Sequence, residues 1–124
     1  MTIQRFEDLE CWKSARTLVH EIYQLTRSQD FTEFKHLRWQ LQSAALSSMN
    51  NIAEGFDRFS PKERMLFFNY STGSAGEVRS MLYTCLDLEV VASEQFDALM
   101  DQAKRTQLLT VGLIRYLRKR QSST

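Results

Sequence analysis

The 124-residue sequence predicts an all-α fold, an antiparallel up-down bundle of four helices, and three observations carry that expectation. Apolar residues recur at steps of three and four along four segments. Only 4 Gly and 1 Pro are present, too few for the closely spaced turns of a sandwich or barrel. Short polar breaks separate the segments, as expected of helices that pack against their neighbours in sequence. Composition agrees, because 43% hydrophobic and 25% charged residues describe a chain able to bury a core. The length corresponds to one domain over 1–124, with helices at about 7–28, 31–56, 61–88 and 93–120.

In the first segment Phe6, Leu9, Ala15, Leu18, Val19, Ile22 and Leu25 share one face, with Trp12 and Tyr23 beside it. The second is expected to start where Asp30 precedes Glu33 by three positions, the spacing of a capping box. Its apolar stripe runs Leu37, Leu41, Ala44, Ala45, Ser48, Ile52 and Phe56, and Gly55 near its end suits a left-handed backbone. The third begins at Ser60-Pro61-Lys62-Glu63, which supplies an N-cap hydroxyl, a proline at the first helical position and a glutamate that closes the box. Its facing positions are Phe68, Thr72, Ala75, Val78, Leu82, Cys85 and Leu86. The stretch Ser71 to Gly76 is unusually small, and two interior glycines cost roughly 1 kcal/mol each, which suggests a closely packed neighbouring backbone. Ser93 caps the fourth helix, whose core face is Phe96, Leu99, Ala103, Thr110, Ile114 and Leu117, with Gln121 to Thr124 left as a frayed tail.

Enzymatic constellations are missing from the sequence. His20 and His36 are isolated, and no Glu-x-x-His pair, Gly-rich phosphate loop or Gly-x-Ser-x-Gly frame occurs. A non-enzyme without metal or cofactor is therefore expected. Cys11 and Cys85 lack the spacing of a zinc site and read as buried thiols. No apolar run approaches the ~18 residues of a membrane span. With no signal-peptide pattern either, the expectation is a soluble cytoplasmic protein with no membrane partner.

Charge is informative only locally, since 16 Lys+Arg against 15 Asp+Glu leave a net charge of +1. Asp87 to Asp101 holds five acids and no Lys or Arg, while Lys104 to Arg120 holds six bases and no acid. Complementing the helix macrodipole accounts for part of this. At 100° per residue, however, Lys104, Arg115, Arg118 and Lys119 fall on one arc beside the core stripe, and Leu108 and Val111 lie within it. Apolar residues inside a basic stripe suggest a subunit interface with a cationic rim, a surface suited to phosphates. Arg58, Lys62 and Arg64 around the third helix start could add an anion site.

The segments Gln40 to Ser47 and Asn51-Ile52-Ala53-Glu54-Gly55 resemble a bacterial four-helix-bundle family. That family contains proteins encoded in intervening sequences of 23S ribosomal RNA genes and the accessory variability determinant of diversity-generating retroelements. Phe6-x-x-Leu9-x-x-Trp12-x-x-Ala15 resembles the family's opening, and Ser60-x-Lys62-Glu63 with Gly73-Ser74-x-x-Glu77 resembles its third helix. The resemblance implies a ring-shaped homopentamer with basic surface in the nucleic-acid-binding members. It also places Asn51, Glu54, Gly55, Gly73, Ser74 and Glu77 at structural positions, with Glu54 and Glu77, on facing helices, expected to pair structurally with nearby Arg or Asn rather than to act in catalysis. This chain departs from the family at Gln42 and Ser43, which replace two arginines, and at Met49, which replaces a proline. The leading expectation is a homo-oligomeric scaffold that binds RNA, an RNA–DNA hybrid or a ribonucleoprotein. Its contacts would be Arg58, Lys62, Lys104, Arg115, Arg118, Lys119 and Arg120. The alternative is a protein-binding scaffold, for a reverse transcriptase or another polypeptide, that makes no nucleic-acid contact.

Overall fold

The computed structural model describes residues 3–122, which form four α-helices and no strand. They are α1 (Glu10–Thr26), α2 (Lys35–Phe56), α3 (Pro61–Asp87) and α4 (Ser93–Ser122). Each packs against two others: α1 on α2 and α4, α3 on α2 and α4. The helices therefore enclose one core as a four-sided bundle, and α3 is shared by two adjacent sides.

Helix starts follow from what the chain must bury. Residues Phe6–Asp8 form a separate 3-10 turn, and extended Leu9 (ψ 129°) delays α1 to Glu10 while its own side chain enters the core. The second helix begins at Lys35 instead of at residue 31. Ser28 Oγ accepts the Asp30 N–H at 3.1 Å and caps a 3-10 turn at Gln29–Phe31. This geometry drives Phe31 into the core at 0% exposure, so burial of that ring overrides the Asp30/Glu33 box. At α3, Ser60 Oγ accepts the Glu63 N–H at 3.0 Å with Pro61 at the first turn. α4 continues through Gln121 and Ser122, and Ser123 and Thr124 lie outside the described residues.

The α3–α4 connection reveals a stop signal that carries no glycine. Glu89 takes φ 59°, the Val90 N–H donates to Cys85 O at 3.0 Å, and the Glu89 N–H donates to Leu86 O at 3.1 Å. This paired bonding closes the helix end, with Val90 and Cys85 both buried.

The core has two apolar ends and a polar waist. One end gathers Leu18, Ile22, Phe31, Leu41, Val78 and Leu82; the other gathers Leu9, Ile52, Phe68, Leu113 and Ile114. Between them Ser14 Oγ and Thr106 Oγ1 share a hydrogen bond of 2.8 Å, and Ser71 Oγ donates to Ser48 O at 2.6 Å. Thr110 Oγ1 donates to Thr106 O at 2.7 Å. Among the described residues no buried side-chain polar atom lacks a partner, so the waist fixes the relative heights of the helices without an unsatisfied group.

Candidate functional site

In the small segment of α3, Ser71 and Ser74 meet α2 closely, but the two glycines do not serve close packing inside the chain. Nothing lies within 4 Å of where a Gly73 Cβ would stand, and a Gly76 Cβ would meet only Gln107 Nε2 at 3.2 Å. Both glycines instead floor an open groove between α3 and α4, about 560 Å³ in volume, whose other walls include Arg79, Lys104, Leu108 and Val111. Leu108 is 73% exposed there. A second hollow of about 420 Å³ continues along the same two helices past Lys62, Leu66, Asn69, Ile114 and Arg118. The groove combines an apolar floor with a cationic edge.

The structure divides the predicted basic set. Lys62, Lys104 and Arg118 line the α3–α4 groove, and Arg115 and Lys119 are exposed on α4. Arg120 donates to the Tyr116 hydroxyl at 2.7 Å and lines a separate hollow of about 370 Å³ at the bundle end, together with Arg64 and Phe56. Arg58 belongs to neither. It forms an ion pair with Glu54, and its guanidinium sits 4.4 Å from the centre of the Phe67 ring. Its charge is spent on local structure, because the stacked, paired geometry satisfies it inside one corner of the bundle. Arg64 Nε donates to Arg58 O at 2.6 Å, so it braces the same corner.

The two acidic positions behave differently. Glu54 pairs with Arg58, one turn away, whereas Glu77 has no ion-pair partner among the described residues. Asn51 Nδ2 donates to Ser47 O and Oγ, both at 2.9 Å, and Ser47 Oγ lies 2.9 Å from Ser74 Oγ. Ser47 and Ser74 line a slot of about 270 Å³ between α2 and α3, walled by Trp39, Glu77 and Met81. Gly55 is helical, not left-handed. A Cβ there would come within 2.8 Å of the Phe68 ring and 3.1 Å of Arg64 O, so close contact between α2 and α3 is its reason.

Three features escaped sequence reasoning. Arg79 Nη1 donates to Gln107 Oε1 at 2.9 Å, bridging the groove. Trp39 is 62% exposed, a position its phase opposite Leu41 could have signalled, and it stacks near His36 with ring centres 6.3 Å apart. Phe59 is fully exposed in the α2–α3 turn, and no local pattern announces it. At the replaced family positions, Gln42 Nε2 donates to Thr26 Oγ1 at 2.9 Å and Ser43 lines the α2–α3 slot. α2 runs unbroken through Met49.

Cys11 and Cys85 are free and buried, and burial pushes both thiols up to about 11. No group of three metal-ligating side chains occurs among the described residues, and no helix there is long and apolar enough to cross a membrane.

Four α-helices packed around a shared core, with an open groove between α3 and α4, define an all-α helical-bundle protein. The family of 23S rRNA-intervening sequence proteins matches residues 7–112, and the chain belongs to that family. The fold is also similar to a crystal structure from Bacteroides thetaiotaomicron, described as a protein of unknown function from the S23 ribosomal protein family. The TM-score is 0.76 at 16% identity, covering 84% of this chain and 97% of that one. No curated protein matches the chain.

Proposed function

We propose that this protein is a non-enzymatic homo-oligomeric scaffold that presents basic surface to RNA or a ribonucleoprotein, in the form of up-down bundles arranged as a ring of five. One observation supports this above others: Leu108, 73% exposed, stands in a groove edged by Arg79 and Lys104, and Lys62 and Arg118 line the hollow further along the same two helices. A lone bundle gains nothing from a leucine held in water, whereas a second copy would bury it and leave the cations around the rim. Up-down connectivity is supported by bonds in which positions rise on α2 as they fall on α3, Ser47 with Ser74 and Ser48 with Ser71. Membership in the intervening-sequence family supports an RNA setting.

The test has two parts. Light scattering should give a mass several times 14.6 kDa. Binding to structured RNA should weaken with salt, and Arg118, Lys119 and Arg120 changed together to Gln should flatten that dependence. The expected change is about one unit of log–log slope for each phosphate the protein no longer neutralises. Salt-independent or absent RNA binding by an oligomer, with capture of one protein after nuclease treatment, would instead favour the protein-scaffold reading.

A further inference from the structure

Two adjacent sides of the bundle complement each other in charge, shape and height. On the α3–α4 side, Lys104, Leu108, Val111, Arg115 and Arg118 recur at steps of four and three along α4, and no acid follows Asp101. On the α2–α3 side, no Lys or Arg occurs after Arg38 on α2 or between Arg64 and Arg79 on α3, and Arg58 in the connection is paired with Glu54. That side instead carries Glu77 on the wall of a slot made small by Ser43, Ser47 and Ser74, with Glu54, already paired with Arg58, seven residues beyond Ser47 on the same face of α2. One side is a groove whose α4 wall presents a leucine between cations, and the other is a small-residue slot with Glu77, a carboxylate unpaired among the described residues, on its wall.

Hydrogen bonds set the heights. Ser74 on α3 meets Ser47 on α2 at 2.9 Å, and Gln107 Nε2 on α4 donates to Thr72 O on α3 at 2.9 Å. Leu108 therefore leaves the bundle level with Ser47 and Ser74. Three or four residues away in matching directions, Lys104 is level with Glu77; seven residues the other way, Arg115 is level with Glu54. At 1.5 Å rise per residue, Lys104 and Arg115 stand about 16 Å apart, and Glu77 and Glu54 about 15 Å.

We propose that the α3–α4 side of one copy docks on the α2–α3 side of the next. Lys104 meets the neighbouring copy's Glu77, Leu108 enters the slot over Ser47 and Ser74, and Arg115 meets Glu54 beside its own partner Arg58. Closed rotational symmetry has no shift along its axis, so groups at equal height on the two sides are brought together when bundles stand parallel to that axis. The two sides are neighbours around α3 and face different directions, so each head-to-tail step turns the chain and a small ring closes. This rests on the homo-oligomer reading above and assigns its two faces.

Charge reversal tests it by light scattering at low salt, with helicity monitored by circular dichroism. The K104E/R115E and E54K/E77K variants should each move the assembly midpoint to at least about tenfold higher protein concentration, and the chain carrying all four reversals should recover the wild-type mass. L108S, altering a side chain outside the core, should also weaken assembly while helicity is kept. If wild type assembles but both reversals leave its mass unchanged, or the fourfold variant fails to recover while remaining helical, the face assignment is wrong and the oligomer stands. A two-copy particle disrupted by K104E/R115E and indifferent to E54K/E77K would also overturn it, as the mark of an α3–α4 side packed on itself. A wild-type chain of 14.6 kDa at all concentrations overturns the oligomer reading itself.

Discussion

Gln107 Nε2 donates to the Thr72 carbonyl at 2.9 Å while its Oε1 accepts from Arg79, so one side chain ties α4 to α3 at the centre of the open groove. The backbone carbonyl it reaches already belongs to a helix, and the bond sets the height of Leu108 one residue on. Replacing Gln107 by Leu removes both bonds at a half-buried site. A loss of about 1 to 2 kcal/mol is expected, measured as a lower urea midpoint.

Glu89 occupies a left-handed conformation that glycine adopts without steric cost. The Glu89→Gly variant should be more stable by up to about 1 kcal/mol, read as a higher thermal midpoint. An unchanged or lower midpoint would mean that the Glu89 side chain contributes more than its backbone costs.

Gly55 and Gly73 should respond to alanine in opposite directions. A Cβ at Gly55 would strike the ring of Phe68, which is 1% exposed and has no room to retreat. Gly55→Ala should therefore destabilise by about 1 to 3 kcal/mol, the range of overpacked cores. Gly73 faces open space, so Gly73→Ala should gain roughly 0.5 to 1 kcal/mol of helix propensity. Denaturant melts of both variants make the comparison, and a destabilised Gly73→Ala would point to a neighbouring copy on the groove.

The two thiols predict an alkaline limb of stability. Burial lifts each from 9.0 to about 11 in the folded chain, with a hydrogen bond to Thr110 partly opposing this at Cys11. Below pH 9 both folded and unfolded thiols keep their protons, and this contribution to stability is fully present. Between pH 9 and about 11 the unfolded chain ionises first, so stability falls by up to about 1.4 kcal/mol per pH unit for each thiol. Urea melts at stepped pH should show the decline, and the C11S and C85S variants should each flatten it. The same burial makes thiol labelling at pH 8 slow until denaturant is added.

The polar waist supplies a fifth test. Thr106→Val keeps the shape of the side chain but removes the 2.8 Å bond to Ser14, whose hydroxyl retains Gln102 Nε2 at 3.0 Å. Because Ser14 keeps a partner, the cost should stay near 1 kcal/mol. Ser14→Val leaves Gln102 the Ser14 carbonyl alone and puts a larger, branched side chain at 6% exposure, and should cost more, by calorimetry.

Local rules along the chain are enough to define four helices, the Ser60 cap and the solvent-facing phase of Leu108 and Val111, because periodicity and capping depend only on neighbours a turn apart. Trp39 is readable by the same rule and its exposure follows from it. The delayed start of α2 is not, since it turns on whether Phe31 finds a cavity in the bundle core. Nor is the purpose of the glycines: Gly55 answers to Phe68 thirteen residues away, and Gly73 answers to nothing within its own chain.

Order along the chain thus accounts for the helical class, the family resemblance and the basic arc on α4. Which cations share a surface emerges only when the helices pack, binding Arg58 into a corner with Glu54 and Phe67 and leaving Lys104 on the groove. Packing also sets Leu108, Ser47 and Ser74 at one height. A helix specifies angle and rise within itself, whereas the offset between two helices is chosen by side chains that meet across them, here the Ser47–Ser74 and Gln107–Thr72 bonds.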